Sequence, residues 1–399
     1  MRYDFDEIID RTEAISVKWS PELRRRMYGS EEPIPMGIAD MDFRTSPAVA
    51  RAVRDRAAHE TYGYAYASGE YLEACVNWQK RRHGWEIKPE WITYTPGVNM
   101  ALVCAIEIRT EPGDNVIIQS PVYYPYFDYV RGLGRGVALN KLVNNGGRYE
   151  MNFEELERLA KDPKTKLMIL CSPHNPVGRL WTREELETVG RICAENGVTV
   201  AVDEIHSDLI LSGDKHTVFA TLSEELVRDS IICTSPSKTF NLAGLLVSDI
   251  IIPNDGLRAD FQKRMAPYYL WPGCFGSAAQ IAAYDESEDW LEALLEYLRG
   301  NARFIADFIA ERMPRVKYRV PEATYLAWLD FRGLGMNDEE LWSFMLHEAK
   351  VATDDGVKFG LDGEGSGYQR MNFACPRARL AEALERIARA LEARGVSGA

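Results

Sequence analysis

Residues 166–209 read KLMILCSPHNPVGRLWTREELETVGRICAENGVTVAVDEIHSDL, and their rhythm decides the fold. "KLMILCS" (166–172) is an almost continuous apolar run, the pattern of a strand covered on both faces. "TREELETVGRICAENG" follows, with Thr182 and Glu185 at capping-box spacing. Leu186, Val189 and Cys193 form one apolar stripe, and Gly197 is a helix stop. "VTVAVDE" (198–204) is a second apolar run, so the unit is strand, helix, strand. Further strands are expected at "WITYT" (91–95), "NVIIQS" (115–120), "SIICTS" (230–235) and "LLVSDIII" (245–252). The expected class is α/β, with a mostly parallel central sheet.

After about residue 285 the pattern changes. "EDWLEALLEYLRGNARFIADFIAERM" is one long amphipathic helix, followed by a strand candidate, "ATYLAWLDF", and a helix, "NDEELWSFMLHEA". The last helix, "ARLAEALERIARALEARG", carries Leu380, Leu384, Ile387 and Leu391 on one face and Gly395 as its stop. These patterns divide the chain into a large domain over 46–284 and a smaller α+β domain from 1–45 and 285–399.

Composition narrows the function classes. With 47 basic and 60 acidic residues the net charge is −13, which argues against a nucleic-acid partner or an anionic membrane surface. Seven cysteines lie far apart with no Cys-x-x-Cys pair, which points to reduced thiols in a cytoplasmic compartment. "MRYDFDEIID" lacks the apolar core of a signal peptide, and no apolar run reaches the ~18 residues of a membrane span. Six scattered histidines contain no His-Glu-x-x-His, so no metal site is assigned.

Open α/β sheets bind ligands beyond the carboxyl ends of their strands. There the sequence places Gly97, Val98 and Asn99, then Tyr123 and Tyr124, Asn175, Asp203 and His206, and finally Ser235, Ser237 and Lys238. Free N–H groups at a helix start suit a phosphate, and two serines add donors. A buried acid suits a cationic nitrogen, and a tyrosine can stack on a planar ring. A lysine in an apolar pocket can lose its proton and form a Schiff base. Each residue alone has a plainer reading: a helix cap for Asp203, a core or interface ring for Tyr123, a structural imidazole for His206, a solvated amine for Lys238. Together they describe a site for pyridoxal phosphate.

In this order the motifs "GIADMDF" (37–43), "YGYAYASGEYLEA", "TPGVNMAL", "SPVYYPY", "CSPHNPVGR", "VDEIHSDL", "SPSKTFNLAGL" and "RMNFACPR" (370–377) cover nearly the whole chain. They resemble those of fold-type I pyridoxal-phosphate enzymes of the aminotransferase class I/II group, and more narrowly its MalY/PatB branch, the cystathionine β-lyase or C–S lyase type. The resemblance implies a fold-type I transferase fold and pyridoxal 5'-phosphate as cofactor. It also implies that Lys238 carries the cofactor and moves the Cα proton, that Asp203 pairs with the pyridinium nitrogen, and that Tyr123 stacks on the ring. By the same resemblance Asn175 and His206 flank the ring oxygen, while Val98, Asn99, Ser235 and Ser237 form the phosphate cradle. Tyr64 matches a tyrosine that reaches the neighbouring subunit's phosphate, which implies a homodimer. Arg370 matches the arginine that clamps the substrate α-carboxylate, Ala39 falls in the same substrate site, and Arg377 reads as structural.

One position departs from the pattern. Many aminotransferases place an arginine eight residues after the lysine, and here that residue is Leu246. The departure favours the lyase branch. The expected reaction is α,β-elimination on cystathionine or another cysteine S-conjugate, giving thiol, pyruvate and ammonia. The alternatives are an aminotransferase, or a variant that decarboxylates or oxidatively deaminates a cysteine conjugate. A regulatory binding protein that keeps the fold is the reading from a different class.

Overall fold

The apolar runs become the strands of a seven-stranded sheet in the computed structural model, which describes residues 3–395. In chain order these strands are β1 (Ile92–Thr95), β2 (Asn115–Ser120), β3 (Gly136–Lys141), β4 (Thr165–Cys171), β5 (Thr199–Asp203), β6 (Ser230–Thr234) and β7 (Ser248–Ile251). Their spatial order is β1-β7-β6-β5-β4-β2-β3. β6, β5, β4, β2 and β3 pair in parallel, whereas β7 is antiparallel to both of its neighbours.

Continuous apolarity in β4 follows from two-sided burial. Met168 and Leu170 enter the core on one face, while Leu167, Ile169 and Cys171 enter the core on the other. β5 and β6 split in the same way, with Val200, Val202 and Ile232 on the first side and Ala201, Ile231 and Cys233 on the second. A period of two in strands buried on both faces therefore appears in the sequence as no alternation at all. All seven cysteines are free thiols.

The helix between β4 and β5 spans Arg183–Glu195. Thr182 Oγ1 accepts the Glu185 N–H at 3.2 Å, and Glu185 Oε2 accepts the Thr182 N–H at 2.8 Å, so both halves of the capping box are formed. Leu186, Val189 and Cys193 are buried, and Gly197 takes φ +68°, as a helix stop in the left-handed region requires.

Two expectations need correcting. β3 was not expected, because this edge strand reads "GVALNK" and lacks an apolar run; its buried Asn140 is held by Gln119 Nε2 at 3.1 Å. The run "LLVSDIII" is strand only over Ser248–Ile251. Leu245 ends a short 3-10 turn, and Leu246 lies outside the strand, left-handed (φ +52°) and 57% exposed. That turn reverses the chain between Lys238 and the antiparallel β7, and the Leu246 carbonyl accepts the Tyr94 hydroxyl at 2.9 Å.

A second sheet of four antiparallel strands is formed by β8 (Lys317–Tyr318), β9 (Leu326–Asp330), β10 (Asp354–Asp355) and β11 (Tyr368–Asn372), in the order β8-β9-β11-β10. The helix Glu288–Arg312 packs against β8 and against the helix Arg377–Ala393. Leu380, Leu384, Ile387 and Leu391 are all buried there. "NDEELWSFMLHEA" is α-helical over Asp338–Ser343 and continues as a π-helical turn over Phe344–Glu348. No helix among the described residues is long and apolar enough to cross a membrane.

Replacing Thr182 by Ala removes one half of the capping box. It should lower unfolding stability by about 1 kcal/mol, read as a reduced urea midpoint at unchanged slope.

Candidate active site

The polar residues at the strand ends meet in one buried cluster. Lys238 lies in the short helix Pro236–Thr239, which Ser235 caps after β6. Its Nζ donates to the Ala39 carbonyl at 2.7 Å, and the Tyr325 hydroxyl donates to the same oxygen at 3.1 Å. The Tyr325 ring packs edge-on against the His206 ring, with centroids 5.9 Å apart. Asp203 ends β5, with its Oδ2 accepting the Tyr126 hydroxyl at 2.5 Å and its Oδ1 the Ile205 N–H at 3.1 Å. Tyr126 meets the Tyr123 ring edge-on at 5.5 Å, and the Tyr123 N–H donates to the Asn175 carbonyl at 3.1 Å.

Arg370 projects from β11 into the same cluster and is 3% exposed. Its NH1 donates to Asn175 Oδ1 at 3.0 Å and its NH2 to the Gly37 carbonyl at 3.1 Å. NH2 also pairs with the Asp354 carboxylate, and the guanidinium lies over the Phe359 ring, 4.9 Å from its centroid. A Cβ on Gly37 would stand 2.9 Å from the Asp354 nitrogen, so only glycine allows this approach of residues 37–43 to the second sheet.

Burial sets the protonation states. It lowers the Lys238 ammonium to about 8, together with Arg370 and against Asp40 and Asp203. A lysine tuned to that range exchanges protons at neutral pH. Burial raises the Asp203 carboxyl, against hydrogen bonds from Tyr126 and Ile205 and the charge of Lys238. His206 is pushed down to about 3 by burial, then by Lys238 and Arg370, so its imidazole is neutral. Burial also raises the Tyr123 phenol, which a hydrogen bond with Asn99 opposes.

The cluster fits pyridoxal phosphate. Among the described residues, His206 Nδ1, Ser172 Oγ and Arg370 Nε are buried without a hydrogen-bond partner. Buried polar atoms of this kind call for a polar ligand. Asp203 is a buried acid whose charge a cationic ring nitrogen would stabilise. The helix Val98–Arg109 begins after Gly97 (φ +103°) with no side-chain cap, leaving its first N–H groups for an anion. Ser237 stands beside Ser235 (Oγ to Oγ 2.8 Å) on the cradle expected for a phosphate. Ser235 itself donates to the Val247 carbonyl at 2.6 Å and accepts the Ser237 N–H at 3.0 Å, so it shapes the turn.

Tyr64 is not part of this cluster within the chain; it is fully exposed beside Tyr62 and Tyr66. Arg377 lies elsewhere too, donating from Nε to Asn301 at 2.6 Å. Tyr126, Tyr325 and Asp354 belong to the cluster, and sequence reading did not assign them. Tyr126 stood in the quoted "YYPY" and Asp354 opens "DDGVKFG", but neither carries a spacing rule that would select it.

The family model for aminotransferases of class I and II matches residues 31–387. The chain is 42% identical over 389 residues to cystathionine beta-lyase PatB of Bacillus subtilis (strain 168), covering 97% of this chain and 100% of that protein. Cystalysin from Treponema denticola, whose crystal structure contains a pyridoxal 5'-phosphate cofactor, superposes with a TM-score of 0.95 at 37% identity, covering 99% of this chain and 100% of that one. The PLP-bound C-S lyase from Staphylococcus hominis superposes with a TM-score of 0.90 at 33% identity, covering 98% of both chains.

The buried histidines predict a direction of acid sensitivity. Burial holds His206 at about 3 and His174 at about 4, against about 6.5 in the unfolded chain. As pH falls below 6.5 the unfolded chain takes up protons that the folded chain refuses, so stability is lost down to those folded values. The urea midpoint should therefore fall between pH 7 and pH 5, and His174→Gln should fall less steeply than the parent. Identical slopes for parent and variant would remove His174 from this account.

Proposed function

The chain belongs to the class I and II aminotransferase family, and from that premise we propose that it is a pyridoxal-phosphate-dependent carbon–sulfur β-lyase. It acts on an L-amino acid with sulfur at Cβ, cystathionine or another cysteine S-conjugate, and yields thiol, pyruvate and ammonia. The observation that carries this reading is the buried meeting of Lys238, Asp203, Asn175 and Arg370 in a chain that matches a cystathionine beta-lyase from end to end.

When bound, pyridoxal phosphate supplies an electrophilic carbon for the amine and a ring that withdraws the electron pair left at Cα. The chain's residues do the rest. Arg370 binds the α-carboxylate through its planar fork while Asn175 keeps the guanidinium oriented. Lys238 Nζ, about 8 when buried, takes the proton from Cα. The pair left at Cα then closes a Cα=Cβ double bond as the Cβ–S bond breaks with its electrons on sulfur, which takes up a proton to leave as thiol. The freed aminoacrylate reacts with water to give pyruvate and ammonia. Asp203 would hold its charge against the ring nitrogen, Tyr123 would cover the ring face, and Asn175 and the neutral His206 would flank the ring oxygen. Val98 and Asn99 at the helix start and Ser237 would hold the phosphate, with Ser235 shaping the turn that presents Ser237, and Ala39 lines the substrate site through its carbonyl.

The same reading divides the chain into a large domain over 46–284, around the seven-stranded sheet, and a small domain from 1–45 and 285–399, around the four-stranded one. Residues 1–2 and 396–399 of the latter lie outside the described residues. It also makes the protein a cytoplasmic homodimer, with Tyr64 completing the partner's phosphate site. Complete exposure of this ring, and the exposure of its neighbours Tyr62 and Tyr66, in the single chain support that assignment.

Purified protein supplied with cystathionine or S-methylcysteine should release thiol and pyruvate in equal amounts. An intact cofactor spectrum with neither product would end the lyase reading, and conversion of the cofactor to its amine form without thiol would make the enzyme an aminotransferase. Lys238→Ala should abolish release, and reduction with borohydride should leave no cofactor attached to that chain.

Mixing inactive Tyr64→Ala and Lys238→Ala chains tests the shared site. Reassorted dimers should recover about a quarter of the native rate if Tyr64 acts across a two-fold axis. Recovery of nothing would place Tyr64 outside the partner's site.

A further inference from the structure

Residues 37–43 cross the site as a strap without regular secondary structure, yet five consecutive carbonyls, 37 to 41, each accept a side-chain donor. Gly37 O is held by Arg370, Ile38 O by Asn372 at 2.7 Å, and Ala39 O by Lys238 and Tyr325. Asp40 O is held by Asn372 at 2.6 Å and Lys18 at 3.3 Å, and Met41 O by Arg11 at 3.0 Å and Asn241 at 3.1 Å. Lys238 and Arg370 are the two donors that the reaction takes away, one for the cofactor and one for the substrate carboxylate.

What remains is anchored by a cluster of four charges. Arg11 bridges Asp40 (2.9 Å) and Asp42 (2.6 Å). Lys18, whose side chain is wholly buried, donates to Asp42 Oδ2 at 2.9 Å, and Trp19 Nε1 donates to Asp42 Oδ1 at 2.7 Å. Burial alone would raise Asp42, but Lys18, Trp19 and Arg11 together hold it below the usual carboxylate range. A buried lysine costs several kcal/mol of desolvation unless its partners are well placed, so this pairing is a geometric constraint as well as an attraction.

We propose that Arg11 and Lys18 are positioning residues of the substrate site: through Asp40 and Asp42 they lock the strap so that it keeps its place when Lys238 and Arg370 release the Ala39 and Gly37 carbonyls. This inference rests on the roles given above to Lys238 and Arg370. Neither Arg11 nor Lys18 touches the reacting atoms. Their effect is to keep the Ala39 backbone at the edge of the site and to keep the Asp40 carboxylate paired with Arg11.

Two variants test it, Arg11→Met and the charge-balanced pair Lys18→Met/Asp42→Asn, which leaves no lone buried ion. In the cofactor-loaded protein, backbone amide exchange over residues 37–43 should quicken by about tenfold while strands β4 to β6 keep their protection. KM for the cysteine S-conjugate should rise about tenfold with kcat changed far less, and Arg11→Lys should restore most of the loss. Unchanged strap exchange in both variants overturns the proposal, and so does exchange that quickens equally in β4 to β6, since the charges would then stabilise the fold as a whole. A parent enzyme that releases no thiol would defeat the lyase reading alone, because the exchange comparison decides the lock without turnover.

Discussion

The guanidinium of Arg370 joins three parts of the chain that are distant in sequence. It binds Asn175 on the turn after β4, Gly37 in the strap, and Asp354 on the neighbouring strand β10. A cation that is 3% exposed must have its donors met, and leaving it unpaired would cost several kcal/mol. The two sheets and the strap are therefore held in one mutual arrangement by a group whose remaining buried donor, Nε, has no partner within the chain. In the proposed function, structural cohesion and carboxylate recognition fall on the same side chain.

Burial that builds the fold also tunes the site. The sheet places Asp203, Lys238 and His206 where water is excluded, and desolvation moves each towards its neutral form: the acid up, the lysine down to about 8, the imidazole down to about 3. A cationic ring nitrogen beside Asp203 would restore the charge that burial opposes, while Lys238 would be left able to take a proton at neutral pH. These shifts share their largest cause, the depth of the strand ends beneath the strap and the second sheet.

Leu246 shows how a residue's meaning depends on its surroundings. Its place eight residues after Lys238 suggested a strand position from which an arginine was missing. In the structure it ends a tight turn in the left-handed region, with its side chain exposed. The tyrosines at 62, 64 and 66 and Trp271 are exposed as well, so a set of apolar side chains faces outward from the single chain. The proposed two-fold assembly would cover them.

Local rules made much of this legible in advance. The capping box at Thr182 and Glu185, the stripe of Leu380, Leu384, Ile387 and Leu391, and the strands at 115–120 and 199–203 depend on residues a few positions apart, which a sequence displays directly. So does the order of Asn175, Asp203, His206 and Lys238 at successive strand ends, since parallel strands put those ends along one edge. The edge strand Gly136–Lys141 escaped because half-burial leaves no apolar run to recognise. Tertiary structure alone decided which polar groups meet: Tyr126 with Asp203 across 77 positions, Arg370 with Asn175 across 195, Lys238 with the Ala39 carbonyl across 199. Propensity, periodicity and capping act over a few residues, whereas these pairs form only once the whole path of the chain has brought their backbones together.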